Sequence, residues 1–185
     1  MTSEGCPFNC PYCASRRLYY SFHQKNPQEI VEEILYWYDN HNVLDFAFYD
    51  DALLVNFDRH LAVILEEVCR MGLNVRFHAP NAMHARFIGR EAALLFKQAG
   101  FTTIRLGLER IEDRFDNKVT TDEFRESIEH LKNVGFTSKE LGAYVLYGIP
   151  EEDFDAVKRT VIFLEKLGAM PYLAEFSPIP HTPFF

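Results

Sequence analysis

The sequence predicts an α/β fold: a partial (β/α)6 barrel of the TIM type with parallel strands, in a single domain. Three observations predict it. Segments with apolar residues at helical spacing alternate along the chain with short apolar runs of strand length. Gly72, Gly100, Gly135 and Gly168 each close a helical segment, and each leads within a few residues into an apolar run, the punctuation of repeated βα units. The 185 residues are too few for a closed barrel of eight units. An open doubly wound sheet is the structural alternative. Both architectures place ligands at the C-terminal ends of their strands.

The elements follow in order. Residues 27–40 carry Ile30, Val31, Ile34, Leu35 and Trp37 at helical spacing, with Pro27 suited to a first turn. Residues 43–49 are short, apolar and aromatic, as in a buried strand. Residues 56–71 return to helical spacing through Leu61, Ile64, Leu65 and Val68, and Gly72 stops them. A strand is expected at 73–78, a helix at 90–98, a strand at 102–108 and a helix at 122–134 with Thr121 as its cap. A strand at 141–147, a helix at 152–167 and a strand at 172–176 complete the series. A strand leading into the first cysteine brings the count to six units. Only Met1 to Gly5 precede that cysteine, and the chain stops at Phe185 just after the last strand, so a fragment of a longer protein is expected.

Composition narrows the function classes. Apolar residues make up 48% and aromatic residues 15% of the chain, enough for a real core. A net charge of −8 argues against a general phosphate-binding surface, so a nucleic-acid partner is not expected. The longest apolar runs, such as Val161-Ile162-Phe163-Leu164, are far too short to cross a bilayer. No charged-then-apolar leader precedes Gly5, and the expected location is the cytoplasm.

Of four cysteines, Cys6, Cys10 and Cys13 fall within one short loop. Neighbours this close rarely pair as disulfides, so the group reads as a metal site. Cys69, mid-helix on an apolar stretch, reads as a small buried hydrophobe. The loop is Gly5-Cys6-Pro7-Phe8-Asn9-Cys10-Pro11-Tyr12-Cys13, spaced C-x3-C-x2-C. Soft thiolates suit zinc or iron–sulfur clusters. Three thiolates can bind three irons of a cubane and leave the fourth open. The other reading is a zinc loop with His23 or a distant residue as fourth ligand.

The C-x3-C-x2-C spacing with an aromatic before the last cysteine resembles the signature of the radical S-adenosylmethionine (SAM) superfamily. The wider stretch from Thr2 to Cys10 resembles the subgroup whose members often carry a cobalamin-binding domain upstream. The resemblance implies a [4Fe–4S] cluster on Cys6, Cys10 and Cys13 with SAM on the open iron. Asp50 and Asp51 match the motif after the second strand that holds the SAM amino group; otherwise they cap the next helix or face solvent. The polar loop over residues 78–84, with Asn81 as candidate, lies where SAM or substrate is contacted, and His78 and His84 receive no chemical role. Glu109 matches the position that hydrogen-bonds the ribose hydroxyls, the alternative being a surface ion pair with Arg110 or Arg114. Either of those arginines is a candidate grip for the SAM carboxylate. Gly148 and Ile149 match the turn that packs on adenine, although Glu151 stands where relatives often have a second glycine. Pro178 belongs to a Pro-x-Pro segment of the kind that lies along the adenine, or is a rigid exit loop. Tyr12 is the loop aromatic whose backbone meets the adenine amino group.

The implied reaction is reductive cleavage of SAM to a 5′-deoxyadenosyl radical that abstracts hydrogen from an unidentified substrate, with no protein acid or base required. An electron donor such as flavodoxin or ferredoxin is implied as partner. Cobalamin enters only through a domain absent from this chain. A cobalamin-dependent methyltransferase and a methylthiotransferase-like enzyme are the options within the family. The reading from another class is a non-enzymatic module binding zinc or an iron–sulfur cluster through its thiolates.

Overall fold

The computed structural model describes residues 1–111, 118–149 and 153–185. Two short strands, β1 (Ser3–Glu4) and β2 (His23–Gln24), pair antiparallel on either side of the cysteine loop and of the single-turn α1 (Ser15–Leu18). The main sheet holds β3 (Asp45–Ala47), β4 (Arg76–His84), β5 (Phe101–Glu109), β6 (Leu141–Tyr147) and β7 (Met170–Glu175), in that spatial order and all parallel. Helix α2 (Pro27–His41) leads into β3, and α3 (Leu61–Met71), α4 (Arg90–Gln98), α5 (Thr121–Asn133) and α6 (Phe154–Leu167) connect the successive strands.

The strand order equals the chain order and never reverses. With right-handed crossovers, every connecting helix then falls on one face of the sheet. That is barrel-like winding, whereas a doubly wound sheet reverses its order at a switch point. The sheet remains open, with β3 and β7 as its edges. The strand expected to lead into the first cysteine is the two-residue β1, which pairs with β2 and contributes nothing to the parallel sheet.

Alternation along the strands fixes the two faces. Phe77, Ala79, Ile104, Leu106, Leu141, Ala143 and Val145 are at most 1% exposed and pack against Leu61, Ile64 and Leu65 of α3, Phe96 of α4, and Phe124, Ile128 and Leu131 of α5. Phe101 anchors this core, with its ring 4.8 Å from Phe96, 5.5 Å from Phe77 and 5.9 Å from Phe48. The opposite face is polar: Arg105 stacks over Tyr172 and donates to its hydroxyl, and Tyr144 donates to the Pro80 carbonyl.

Several boundaries differ from the sequence expectation. The helix expected at 56–71 divides into a 3-10 turn at Phe57–Arg59 and α3, because His60 adopts φ −130°, ψ −84° between them. Helix α5 is capped by Thr120, not Thr121: its hydroxyl accepts from the Glu123 amide while the Glu123 carboxylate accepts from the Thr120 amide, a complete capping box. The segment read as a polar loop at 78–84 continues β4, with register shifts between Phe77 and His78 and between Ala79 and Met83. Pro80 lies within this irregular stretch and cannot donate to the ladder. Cys69 is exposed rather than buried: Val68 takes the core-facing position on α3, and the next residue turns to solvent.

Candidate functional site

The cysteine loop lies across the C-terminal ends of β3, β4 and β5. Gly5 opens it at φ +78°, and a β-carbon there would sit 2.9 Å from the Ser21 carbonyl oxygen, so this tight entry requires glycine. The Cys13 amide donates to the Cys10 carbonyl at 3.1 Å, closing the second half of the loop into a turn. None of the three cysteines is in a disulfide, and all three are partly buried. The Cys13 sulfur accepts from the Ser15 amide at 3.5 Å and lies 3.3 Å from the Ser15 hydroxyl.

Burial pushes the Cys6 thiol up. The Phe8 amide opposes that shift, the charges of Cys13 and Asp51 add to it, and Lys118 draws it back. Cys6 thus lies within electrostatic reach of Asp51, in the segment beyond β3, and of Lys118, whose ammonium reaches the end of β5. Bound iron would offset the burial by holding the thiolate form. Among the described residues, no three His, Cys, Asp or Glu side chains converge on a single-ion site. A cubane instead attaches each of its three thiolates to a different iron. The donor set on this loop, soft sulfur with backbone N–H support, fits such a cluster.

Asp50 is 3% exposed and neither caps a helix nor faces solvent. Its Oδ1 accepts from the amides and hydroxyls of both Thr2 and Ser3, at 2.5–2.8 Å. The carboxylate thus ties the segment before Cys6 to the end of β3. Its Oδ2 is buried without a partner among the described residues. Asn81 reinforces the same strand end, donating to the Tyr49 carbonyl at 2.9 Å and lying 3.5 Å from the Asp50 carbonyl. Asp51 is partly buried, within electrostatic reach of Cys6.

Glu109 ends β5 in the left-handed region at φ +61°, after a register shift that inserts one extra residue between Gly107 and Glu109. That bulge turns its carboxylate inward, and Glu109 is 6% exposed. Among the described residues its ion pair is with Lys118, at 3.1 Å. Arg110 is buried, with Nε 3.4 Å from the Leu146 carbonyl. Arg114, and Pro150 and Glu151 of the turn after β6, lie outside the described residues. Gly107 makes room for the protein's own lysine: a β-carbon there would lie 2.2 Å from Lys118 Nζ.

Lys118 is the site residue that sequence reasoning missed. It stands in a connection without periodicity, two residues before the cap of α5, and nothing local marks it as reaching the end of β5.

The remaining expected residues fall at the same edge. Gly148 follows β6 at φ +81°, and the Phe176 amide donates to the Tyr147 carbonyl, which joins the turn at Gly148 and Ile149 to the end of β7. Beyond β7 the segment with Pro178 turns back: the Phe184 amide donates to the Pro11 carbonyl at 3.3 Å, beside Tyr12. Pro178 itself is exposed, and Tyr12 is partly buried.

The fold and the site define a parallel α/β domain that carries a three-cysteine loop over the C-terminal edge of its sheet. The family model of the radical SAM superfamily matches residues 1–164, and the chain belongs to that superfamily. An uncharacterised methyltransferase of Pyrococcus horikoshii is 25% identical over 172 residues, covering 90% of this chain and 36% of that protein. The anaerobic magnesium-protoporphyrin IX monomethyl ester cyclase of Cereibacter sphaeroides is 25% identical over 192 residues, covering 99% of this chain and 30% of that protein. Among solved structures, the radical SAM methyltransferase TsrM of Kitasatospora setae, with cobalamin and a [4Fe–4S] cluster bound, superposes with a TM-score of 0.85 at 18% identity. That match covers 99% of this chain and 35% of TsrM. The chain therefore spans about a third of the length of these proteins, and at this identity TsrM shows the fold alone.

Proposed function

We propose that this chain is the core of a radical SAM enzyme that holds a [4Fe–4S] cluster on Cys6, Cys10 and Cys13 and binds SAM along the ends of β3 to β7. The observation that carries the reading is the loop of three partly buried cysteines outside any disulfide, with Cys6 in electrostatic reach of Asp51 and Lys118, at the C-terminal edge of a parallel sheet. Once bound, the cluster supplies the electron that cleaves SAM to methionine and a 5′-deoxyadenosyl radical, which takes a hydrogen atom from substrate.

The residues of this chain bind, orient and exclude water. Asp50, through its hold on Thr2 and Ser3, fixes the approach to Cys6, while its free Oδ2 and the carbonyls at the end of β3 are acceptors for the SAM ammonium. Glu109 accepts from the ribose hydroxyls. Lys118, already paired with Glu109, is the cation we assign to the SAM carboxylate. Tyr12, Gly148, Ile149 and Pro178 bracket the adenine. The half-buried setting of the loop keeps bulk water away from the reacting bond.

A soluble reductant such as flavodoxin or ferredoxin is the proposed electron partner. The cytoplasm is the proposed compartment, in keeping with four cysteines outside any disulfide. Cobalamin is a cofactor only if a further domain supplies it.

The test is anaerobic reconstitution followed by incubation with SAM and dithionite, with 5′-deoxyadenosine as the readout. The wild-type chain is expected to form it, and Cys6→Ala, Cys10→Ala and Cys13→Ala are each expected to form none. Undiminished cleavage in the triple variant contradicts the proposal.

A further inference from the structure

His84 ends β4 and is 7% exposed, yet the reading above gives it no part. Its ring lies 4.0 Å, centroid to centroid, from that of Phe8, at an interplanar angle of 31°. Phe87 completes a trio, 5.9 Å from His84 and 6.0 Å from Phe8. Phe8 occupies the three-residue gap between Cys6 and Cys10, where its ring borders a small cavity shared with Leu53, Leu54, Met83 and His84. It is the one aromatic side chain of that gap, and Pro7 and Asn9 are exposed.

A loop of this kind has few backbone hydrogen bonds of its own, and its geometry depends on what its side chains dock against. The imidazole is an expensive docking plate, because its Nδ1 is buried with no partner among the described residues. Burial and the nearby charges of Lys118 and Arg86 keep it neutral. A neutral flat ring can pack face-on against Phe8, whereas a charged one would carry its hydration with it.

We infer that His84 is a positioning residue for the cluster: its ring docks Phe8 and so fixes the spacing of Cys6 and Cys10. The inference rests on the proposed cluster but concerns only how this chain holds it.

The test uses anaerobically reconstituted wild type, His84→Leu, His84→Phe, Phe8→Leu and the double variant His84→Leu/Phe8→Leu. It reads the rate of iron loss to a chelator, the EPR spectrum of the reduced cluster, and the alkylation rate of Cys6 and Cys10 in cluster-free protein. His84→Leu keeps apolar bulk without the ring and is expected to lose iron about fivefold faster, the scale that one aromatic pair supports. Its EPR line shape should change, and its two thiols should alkylate faster. Phe8→Leu should match it, and the double variant should be no worse than either single change, as for two residues acting through one contact. His84→Phe should restore wild-type behaviour. Should His84→Leu not fold, Phe8→Leu in the loop carries the same comparison.

Wild-type iron retention and EPR in both leucine variants overturn the inference. So does a His84→Phe variant as impaired as His84→Leu, which places the role in the nitrogens. Failure of the wild type itself to take up iron and sulfide strikes the proposed function instead, and the alkylation rates then still report whether the ring pair orders the loop.

Discussion

Lys118 Nζ sits 3.1 Å from Glu109 Oε1, and both side chains are only 8% exposed. The pair links the end of β5 to the approach to α5, and Lys118 also acts on Cys6. An ion pair this buried contributes little net stability, but removing one member leaves a charge stranded in a poorly solvated place. Glu109→Leu is therefore expected to cost about 3 kcal/mol in chemical denaturation. The double change Glu109→Leu/Lys118→Met should cost less than the sum of the single changes. Additive losses would mean that the two groups do not interact.

The space over Gly107 belongs to the same pair. A methyl group there collides with the lysine head, 2.2 Å from Nζ and 2.7 Å from Cε. The obstacle is the end of a flexible chain, so Gly107→Ala should fold and lose about 2 kcal/mol, with the ion pair displaced. Its effect should vanish in a Lys118→Ala background, and thermal melts of the four proteins check this. Gly142→Ala meets the ring of Tyr172 at 2.4 Å and the Met170 carbonyl oxygen at 3.1 Å. No comparable rescue is expected there, because a backbone atom cannot swing aside.

Asp50 concentrates four donors from Thr2 and Ser3 on one oxygen. Asp50→Ala should lower stability by about 3 kcal/mol, since each buried donor is left unsatisfied and the four bonds are not additive. Hydrogen exchange gives the specific signature: the Thr2 and Ser3 amides should lose protection far more than the β5 amides. Equal loss everywhere would point to global destabilisation instead.

His84 sets a pH window. Its folded-state value is pushed down to about 3 from 6.5, first by burial and then by the charges of Lys118 and Arg86. Between pH 6.5 and 3 the unfolded chain binds a proton at this residue and the folded chain does not, so this share of stability is lost as pH falls through that range. At pH 5 the share lost is about 2 kcal/mol. His84→Phe should remove it, flattening the stability profile of cluster-free protein below pH 6.5 relative to wild type. A variant profile parallel to the wild-type one would contradict the assignment.

The contrast between Cys6 and Lys118 shows what the sequence could carry. The thiolate loop is a local signal, legible in its spacing alone; the helix periods through Ile64, Leu65 and Val68 and the stops at Gly72 and Gly168 are local too, and the structure places those helices as expected. What the sequence does not show depends on distant partners. Lys118 becomes a site residue only because a bulge turns Glu109 inward. Asp50 becomes an internal anchor only because Thr2 and Ser3 return to it across 48 and 47 positions. Cys69 sits one position from Val68, and a helix turns that single step from core to solvent. The edge of β4 beyond Pro80 reads as loop because strand pairing there depends on β5 and tolerates two register shifts.

The most direct measurement of the central claim is the EPR spectrum of the anaerobically reconstituted, dithionite-reduced chain, recorded with and without SAM alongside iron and sulfide analysis. The account predicts iron and sulfide in equal amounts and a [4Fe–4S] signal that changes when SAM is added. Zinc without sulfide, or a cluster signal indifferent to SAM, would contradict it.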